Sequence, residues 1–348
     1  MRLSRLAPVI GGVVLALAGW SQAASSGGSY KVLKTAKVGG VGGYDYVDAD
    51  EAGRRLFVAR SGQGARVTVF NLDTLEPAGE IPNVSGHGAV VSRKSGHGFV
   101  SSKPVTMFDS KTLAPIKTIE VQSNPDGMFY DAFNDHVYVL SHQLPQVTVI
   151  NAADGNILGT IDLGGQAEEM VSDGKGHLYV DVEDKGNVAV IDAKSMTVTA
   201  HYDLEGKGGT CAGLALDAKN HILFAACRNP QGMVILNAED GKIITTLPIG
   251  AGTDGAQFNP KTMEAFSSNT DGTLTVVKEN SPSSFVVEQV LQTMTGAKTV
   301  VLDSKTNHLY LIAAEYAAPA AGAPAGPGGR APRGPMVPDS FSILVVGK

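Results

Sequence analysis

A chain of 348 residues, with 43% apolar and 18% charged side chains, can form one large all-β domain or two ordinary ones, and its composition excludes a disordered protein. Its formal net charge is −6, and it is more negative still without the N-terminal Arg2 and Arg5. That balance excludes strong non-specific binding to duplex nucleic acid, which needs a basic field.

Arg2 and Arg5 precede an apolar run from Ala7 to Ala18 that is too short to span a bilayer comfortably, and Ser21-Gln22-Ala23 is a small-x-small cleavage site. Residues 1–23 are therefore expected to be a signal peptide, with the mature protein periplasmic or secreted and without a membrane span after cleavage. There is no twin Arg and no Cys after the apolar run, so neither a Tat signal nor a lipoprotein is indicated.

From residue 30 onward one pattern recurs. A short strand ends in Asp or Asn, a turn follows, then an aromatic-centred strand, a loop, and a Val-x-Val-hydrophobic strand. The marker aromatics are Phe57, Phe99, Tyr138, Tyr179, Phe224, Phe266 and Tyr310, spaced 39 to 45 residues apart. Third strands follow in register, among them Val67-Thr68-Val69-Phe70, Val147-Thr148-Val149-Ile150 and Met233-Val234-Ile235-Leu236. Turns such as Asp154-Gly155 and Asp240-Gly241 separate them. A period near 40–45 residues with four strands per unit predicts a β-propeller, here all-β and seven-bladed, spanning 30–348.

The last unit ends at Lys348 after its third strand. The segment from Lys31 to Gly39 matches the fourth strand from Lys242 to Gly250, so an N-terminal strand is expected to close the last blade. That arrangement ties both termini into one sheet and removes a point where the ring would fray. Between Tyr310 and Leu344 an Ala/Pro/Gly-rich insertion, 317–338, carries Arg330 and Arg333; its composition cannot bury a core and predicts disorder.

Leu56-Phe57-Val58-Ala59, Val137-Tyr138-Val139-Leu140 and Leu178-Tyr179-Val180-Asp181, each followed by Val-x-Val-Ile/Phe-Asn/Asp, resemble the YVTN-repeat family, including YncE-like periplasmic proteins. The resemblance runs through essentially the whole mature chain. It implies a binding or surface protein, with single-stranded DNA as one ligand of some members.

In a propeller the chain enters each inner strand from the face on which ligands usually bind. Counting back five residues from the Asp, Asn or Arg that ends each inner strand aligns Asp45, Gly88, Asp126, Glu168, Ala212, Asp254 and Lys298, with Glu169 one step on. This predicts an acidic channel mouth suited to a cationic ligand or a divalent cation, for which Asp45, Asp126 and Asp254 are the candidate ligands. The same residues would also serve as a solvated rim of Asp-Gly turns, with Lys298 paired to a neighbouring carboxylate. His87 at the second entry is a candidate base or ligand. The loops on this face add Arg60, Lys103, His142, Asp184, Arg228 and Asn269. His97, His136, His177, His221 and His308 share one turn position in separate blades, too far apart to bind one metal, and are expected to be structural.

Cys211 and Cys227 are the only cysteines. The register implied by Asp217 and Ile222 sets them opposite each other on neighbouring strands, and export favours a disulfide. No Cys-x-x-Cys, Gly-x-Ser-x-Gly, His-Glu-x-x-His or P-loop occurs.

The reading that follows is an exported, monomeric scaffold that binds a protein or small molecule outside the cytoplasm. A lactonase-like or metal-assisted hydrolase is the alternative, with Asp45, Asp126, Glu168 and Asp254 holding metal and His87 or Glu168 as the catalytic group. Single-stranded nucleic-acid binding through Tyr44, Tyr46, Arg60, Lys103 and Lys298 is a third reading, which the acidic mouth opposes.

Overall fold

The computed structural model describes residues 29–320, 322 and 334–348. The expected signal peptide lies outside them, as does the centre of the Ala/Pro/Gly-rich insertion, 323–333. Flanks of that insertion are paired rather than loose: Tyr316 bridges Met336, and the Ala317 N–H donates to the Pro335 carbonyl at 2.9 Å.

Among the described residues there are 28 strands and no helix, so none is long and apolar enough to cross a membrane. The strands form seven antiparallel four-stranded sheets. Blades 1 to 6 span 43–82, 86–119, 128–161, 167–203, 211–247 and 253–292, each in simple meander order. Blade 7 combines Lys298–Asp303, His308–Ala313 and Ser342–Gly347 with the N-terminal strand Lys31–Lys37. The inner strand of blade 7 meets that of blade 1, Gly43–Asp50, and the ring closes.

Both termini are fastened as the repeat predicts. Lys31 pairs with Gly347 and Lys37 with Ser342. Tyr30 is buried edge-on against Phe266 and donates its hydroxyl proton to Glu264 of blade 6 at 2.6 Å. The Lys348 ammonium reaches the other oxygen of the same carboxylate at 2.7 Å.

Among the described residues the core is divided. The apolar residues fall into clusters that each join two neighbouring blades, such as Phe57 and Val67 of blade 1 with Val100 and Phe108 of blade 2. All seven marker aromatics are buried in these layers. The cause is the period-2 alternation of the strands: each sheet is apolar on both faces and buries one face on each neighbour. The middle of the ring is left as a channel.

One departure from a regular ladder positions the site. In blades 1, 2, 4, 5, 6 and 7 the pairing between inner and second strand slips close to the entry point, between Tyr44 and Val47, Gly86 and Ala89, Ala167 and Met170, Cys211 and Leu214, Thr253 and Ala256, and Lys298 and Val301. Such a bulge leaves residues unpaired on the inner strand and re-aims their side chains. Blade 3 reaches the same end without regular strand pairing there: the Asp126 N–H donates to the Leu140 carbonyl, and the Leu140 N–H to that of Gly127.

Candidate functional site at the channel mouth

The bulges deliver Asp45, His87, Glu168 and Asp254 to one end of the channel, where Asp126 and Lys298 join them. The loops after the second strands add His142 and Glu183, and the end of the second strand of blade 5 adds Arg228. Together these side chains line a cavity of about 960 Å³.

Their charged groups form a closed circuit that touches all seven blades. Lys298 of blade 7 bridges Asp45 of blade 1 and, at 3.1 Å, Asp254 of blade 6. Asp45 lies 2.7 Å from His87 Nδ1 of blade 2, which is also 3.2 Å from Asp126 of blade 3. Asp126 in turn lies 3.3 Å from His142 Nε2, and this nitrogen is 2.8 Å from Glu168 and 3.8 Å from Glu183, both of blade 4. Arg228 of blade 5 completes the path, bonding Glu183 at 3.0 Å and, in a short contact, Asp254.

The circuit has two unlike halves. Asp254, Glu183 and one side of Asp45 are compensated by the fixed charges of Arg228 and Lys298. Asp126, Glu168 and the other side of Asp45 face imidazoles. Burial works against the charge of Asp45, yet the Lys298 ammonium and the bonds from His87 and Lys298 hold it down at about 2. Burial pushes Glu168 up to about 7, opposed by its bond to His142; that bond, against burial, lifts His142 to about 9. Burial and the nearby Asp45 raise Asp126. The hydrogen bond to Asp45 raises His87. Carboxylates outnumber fixed cations here, so the mouth favours added positive charge.

Of the residues expected at this face, Asp45, His87, Asp126, His142, Glu168, Arg228, Asp254 and Lys298 are brought together, and Asp184 lines the edge by accepting the Gln166 N–H at 2.6 Å. Others go elsewhere. Asp254 does not share a ligand set with Asp45 and Asp126, because Arg228 and Lys298 occupy its oxygens; the compact groups of ligand atoms are Asp45-His87-Asp126 and Asp126-His142-Glu168. Glu169 turns down into the channel, where its carboxylate accepts the Leu214 N–H at 2.7 Å and burial pushes it up to about 8.

Arg60 is withdrawn from the mouth: it is buried, lies 3.7 Å over the Phe341 ring and donates to the carbonyls of the loop from Gly39 to Gly42. Asn269 is also buried, bonded to Thr273 and Thr275. Lys103 bonds Gln122 and Asn124 on the rim. Cys211 and Cys227 form a disulfide beside Arg228.

Glu183 is the one charged residue lining the described mouth that the aligned entry and loop positions did not point to, and a usable signal existed. His142, Glu183 and Arg228 all stand four positions after their marker aromatic, whereas Arg60 and Asn269 stand three after theirs. Strand side chains alternate sides, so an offset of one decides between the cavity and the inter-blade layer.

No protein-family model matches the chain, and no curated protein matches it either. Solved structures do. A chain in the crystal structure of the mitotic checkpoint complex superposes with a TM-score of 0.70 at 13% identity, covering 87% of this chain and 96% of that one. The structure of U3-55K gives 0.68 at 11% identity over 90% and 98% of the two chains. The WD40 repeats of RRP9 give 0.69 at 11% over 91% and 97%. At these identities the likeness concerns architecture, and the conclusion is that this chain has the seven-bladed β-propeller fold.

Proposed function

We propose that this chain is an exported binding protein that takes a polar ligand, or the charged group of a partner, into the channel mouth. One observation carries the reading: every blade contributes to a single circuit of charged side chains around a cavity of about 960 Å³. Concave sites with a few convergent polar groups on a rigid scaffold are the usual form of a ligand site. The fold is a common scaffold for binding, and the export signal read from residues 1–23 supports a role outside the cytoplasm. The hydrolase reading draws support from one feature, the pairing of each imidazole with two carboxylates. Nucleic-acid binding draws little, since Arg60 and Tyr44 are buried away from the mouth.

The test is a thermal-shift screen of cationic, zwitterionic and anionic small molecules against the wild type and Arg228→Ala. Ligands that stabilise the wild type and lose that effect in the variant support the reading. Binding that is indifferent to the variant sinks it. N-terminal sequencing of the protein from fractionated cells tests export: a start at Ala24 in the extracytoplasmic fraction is expected.

A further inference from the structure

The imidazole half of the mouth has the make-up of a metal centre. We propose that it binds two neighbouring divalent transition-metal ions, one held by Asp45, His87 and Asp126, the other by Asp126, His142 and Glu168, with the Asp126 carboxylate bridging them. The proposal deepens the reading of the mouth as a binding site and rests on it.

Both donor sets are gathered at the mouth. In each group the three ligand atoms lie within 4.8 Å of one another. His87 Nδ1 sits 2.7 and 3.2 Å from oxygens of Asp45 and Asp126; His142 Nε2 sits 3.3 and 2.8 Å from oxygens of Asp126 and Glu168. Ligands about 2.0–2.2 Å from a tetrahedral metal are separated by roughly 3.3–3.5 Å, so small side-chain movements suffice. The two imidazoles address different oxygens of Asp126, Oδ1 and Oδ2, as a bridging carboxylate requires.

The opposite half of the same circuit compensates its carboxylates with Lys298 and Arg228, whose ammonium and guanidinium groups offer no lone pair to a metal. Here the compensating groups are imidazoles, which bind metal when it displaces the ring proton that faces the carboxylates. One ring nitrogen faces oxygens of two different carboxylates, yet its single N–H can serve only one of them well; a metal ion serves both at once. Mixed nitrogen and oxygen donors select zinc, manganese or cobalt over calcium or magnesium, which prefer oxygen alone. Three protein ligands per ion leave an open position facing the cavity, the form taken by reactive rather than purely structural sites. Lys298 and Arg228 fix the far oxygens of Asp45 and the neighbouring Glu183, orienting the cluster from behind.

The test uses the mature chain stripped with chelator and dialysed against Zn²⁺ and, separately, Co²⁺. Equilibrium dialysis with elemental analysis is expected to give two ions per chain, and Co²⁺ an absorption band of four- or five-coordinate metal. His87→Ala and His142→Ala should each retain one ion. Asp126→Asn should weaken both positions by at least about 100-fold. Circular dichroism and intact disulfide content establish that each variant is folded. Failure to bind below millimolar Zn²⁺, a single ion per chain, or stoichiometry unchanged by either His variant overturns the assignment. Organic ligands that still shift the melt of the metal-free wild type, and not that of Arg228→Ala, would show that only the metal assignment had failed.

Discussion

Replacing Arg54 by Met tests how the ring is held shut. Arg54 lies in the first turn of blade 1, and its guanidinium grips two carboxylates at once. It bonds Asp303 of blade 7 through two nitrogens at 2.7 and 2.9 Å, and Asp73 of its own blade at 2.6 and 3.2 Å. The Asp303 side chain is 0% exposed, whereas that of Asp73 is 50% exposed. Removing one partner of a buried pair typically costs about 3–5 kcal/mol, because a charge is stranded away from water. Asp303 keeps a bond from the Thr306 hydroxyl and one from the Lys305 N–H, which places the expected loss at the lower end, about 3 kcal/mol. Asp73, half in water, adds little.

Urea denaturation at pH 7 should show this loss, with the melting temperature lowered by about 6 °C. The double variant Arg54→Met/Asp303→Asn should recover a large part of it, since the stranded charge is gone. Burial favours the neutral form of Asp303, but the Arg54 bond holds its carboxyl below the usual range. A depressed acid stabilises above its unfolded value, and that contribution is lost as pH falls through the folded one. The gap between wild type and Arg54→Met should therefore be full at pH 6 and narrow below about pH 4. A loss under about 1 kcal/mol, or a double variant no better than the single one, would refute the argument that this pair latches blade 1 to blade 7.

Three further outcomes are expected. Lys298→Met, which leaves Asp45 and Asp254 facing each other with one cation fewer, should cost about 2–4 kcal/mol in urea, with partial recovery on adding Asp45→Asn. Cys211→Ala/Cys227→Ala opens a loop of 16-residue separation and should cost at most about 3 kcal/mol, read as the difference in urea midpoint between the folded wild type and variant. Burial in the channel pushes Asp48 up to about 7, so the folded chain holds a proton there that the unfolded chain loses near pH 4. Stability from this group falls as pH rises between those values; Asp48→Asn should flatten the profile and gain about 1–3 kcal/mol at pH 8, and an unchanged slope would show that the group is solvated.

The blades were legible because strand registration and inter-blade burial are local in sequence. Phe57, Phe99 and their equivalents recur at nearly constant spacing, and each sits in the layer its period implies. The match between the segment from Lys31 to Gly39 and an ordinary fourth strand was enough to foresee ring closure. Aligned entry positions likewise brought Asp45, Asp126, Glu168 and Asp254 to one face.

Who pairs with whom at that face was not legible. The bulges decide which of two adjacent residues points inward: Glu168 enters the mouth while Glu169 turns down the channel. A one-residue offset in the loops sends Glu183 to the cavity and Arg60 to the Gly39–Gly42 carbonyls. Sequence by itself determined the seven sheets and the acid-rich face, since these follow from period, turn chemistry and burial within about forty residues of chain, and it determined closure because the first strand repeats the pattern of an ordinary fourth strand. Only the tertiary structure decided that Arg228 and Lys298 take Asp254, leaving Asp126 between two imidazoles. Those partners sit on the same or adjacent blades, yet which of them meet depends on ångström-scale convergence around the ring, not on their spacing in the chain.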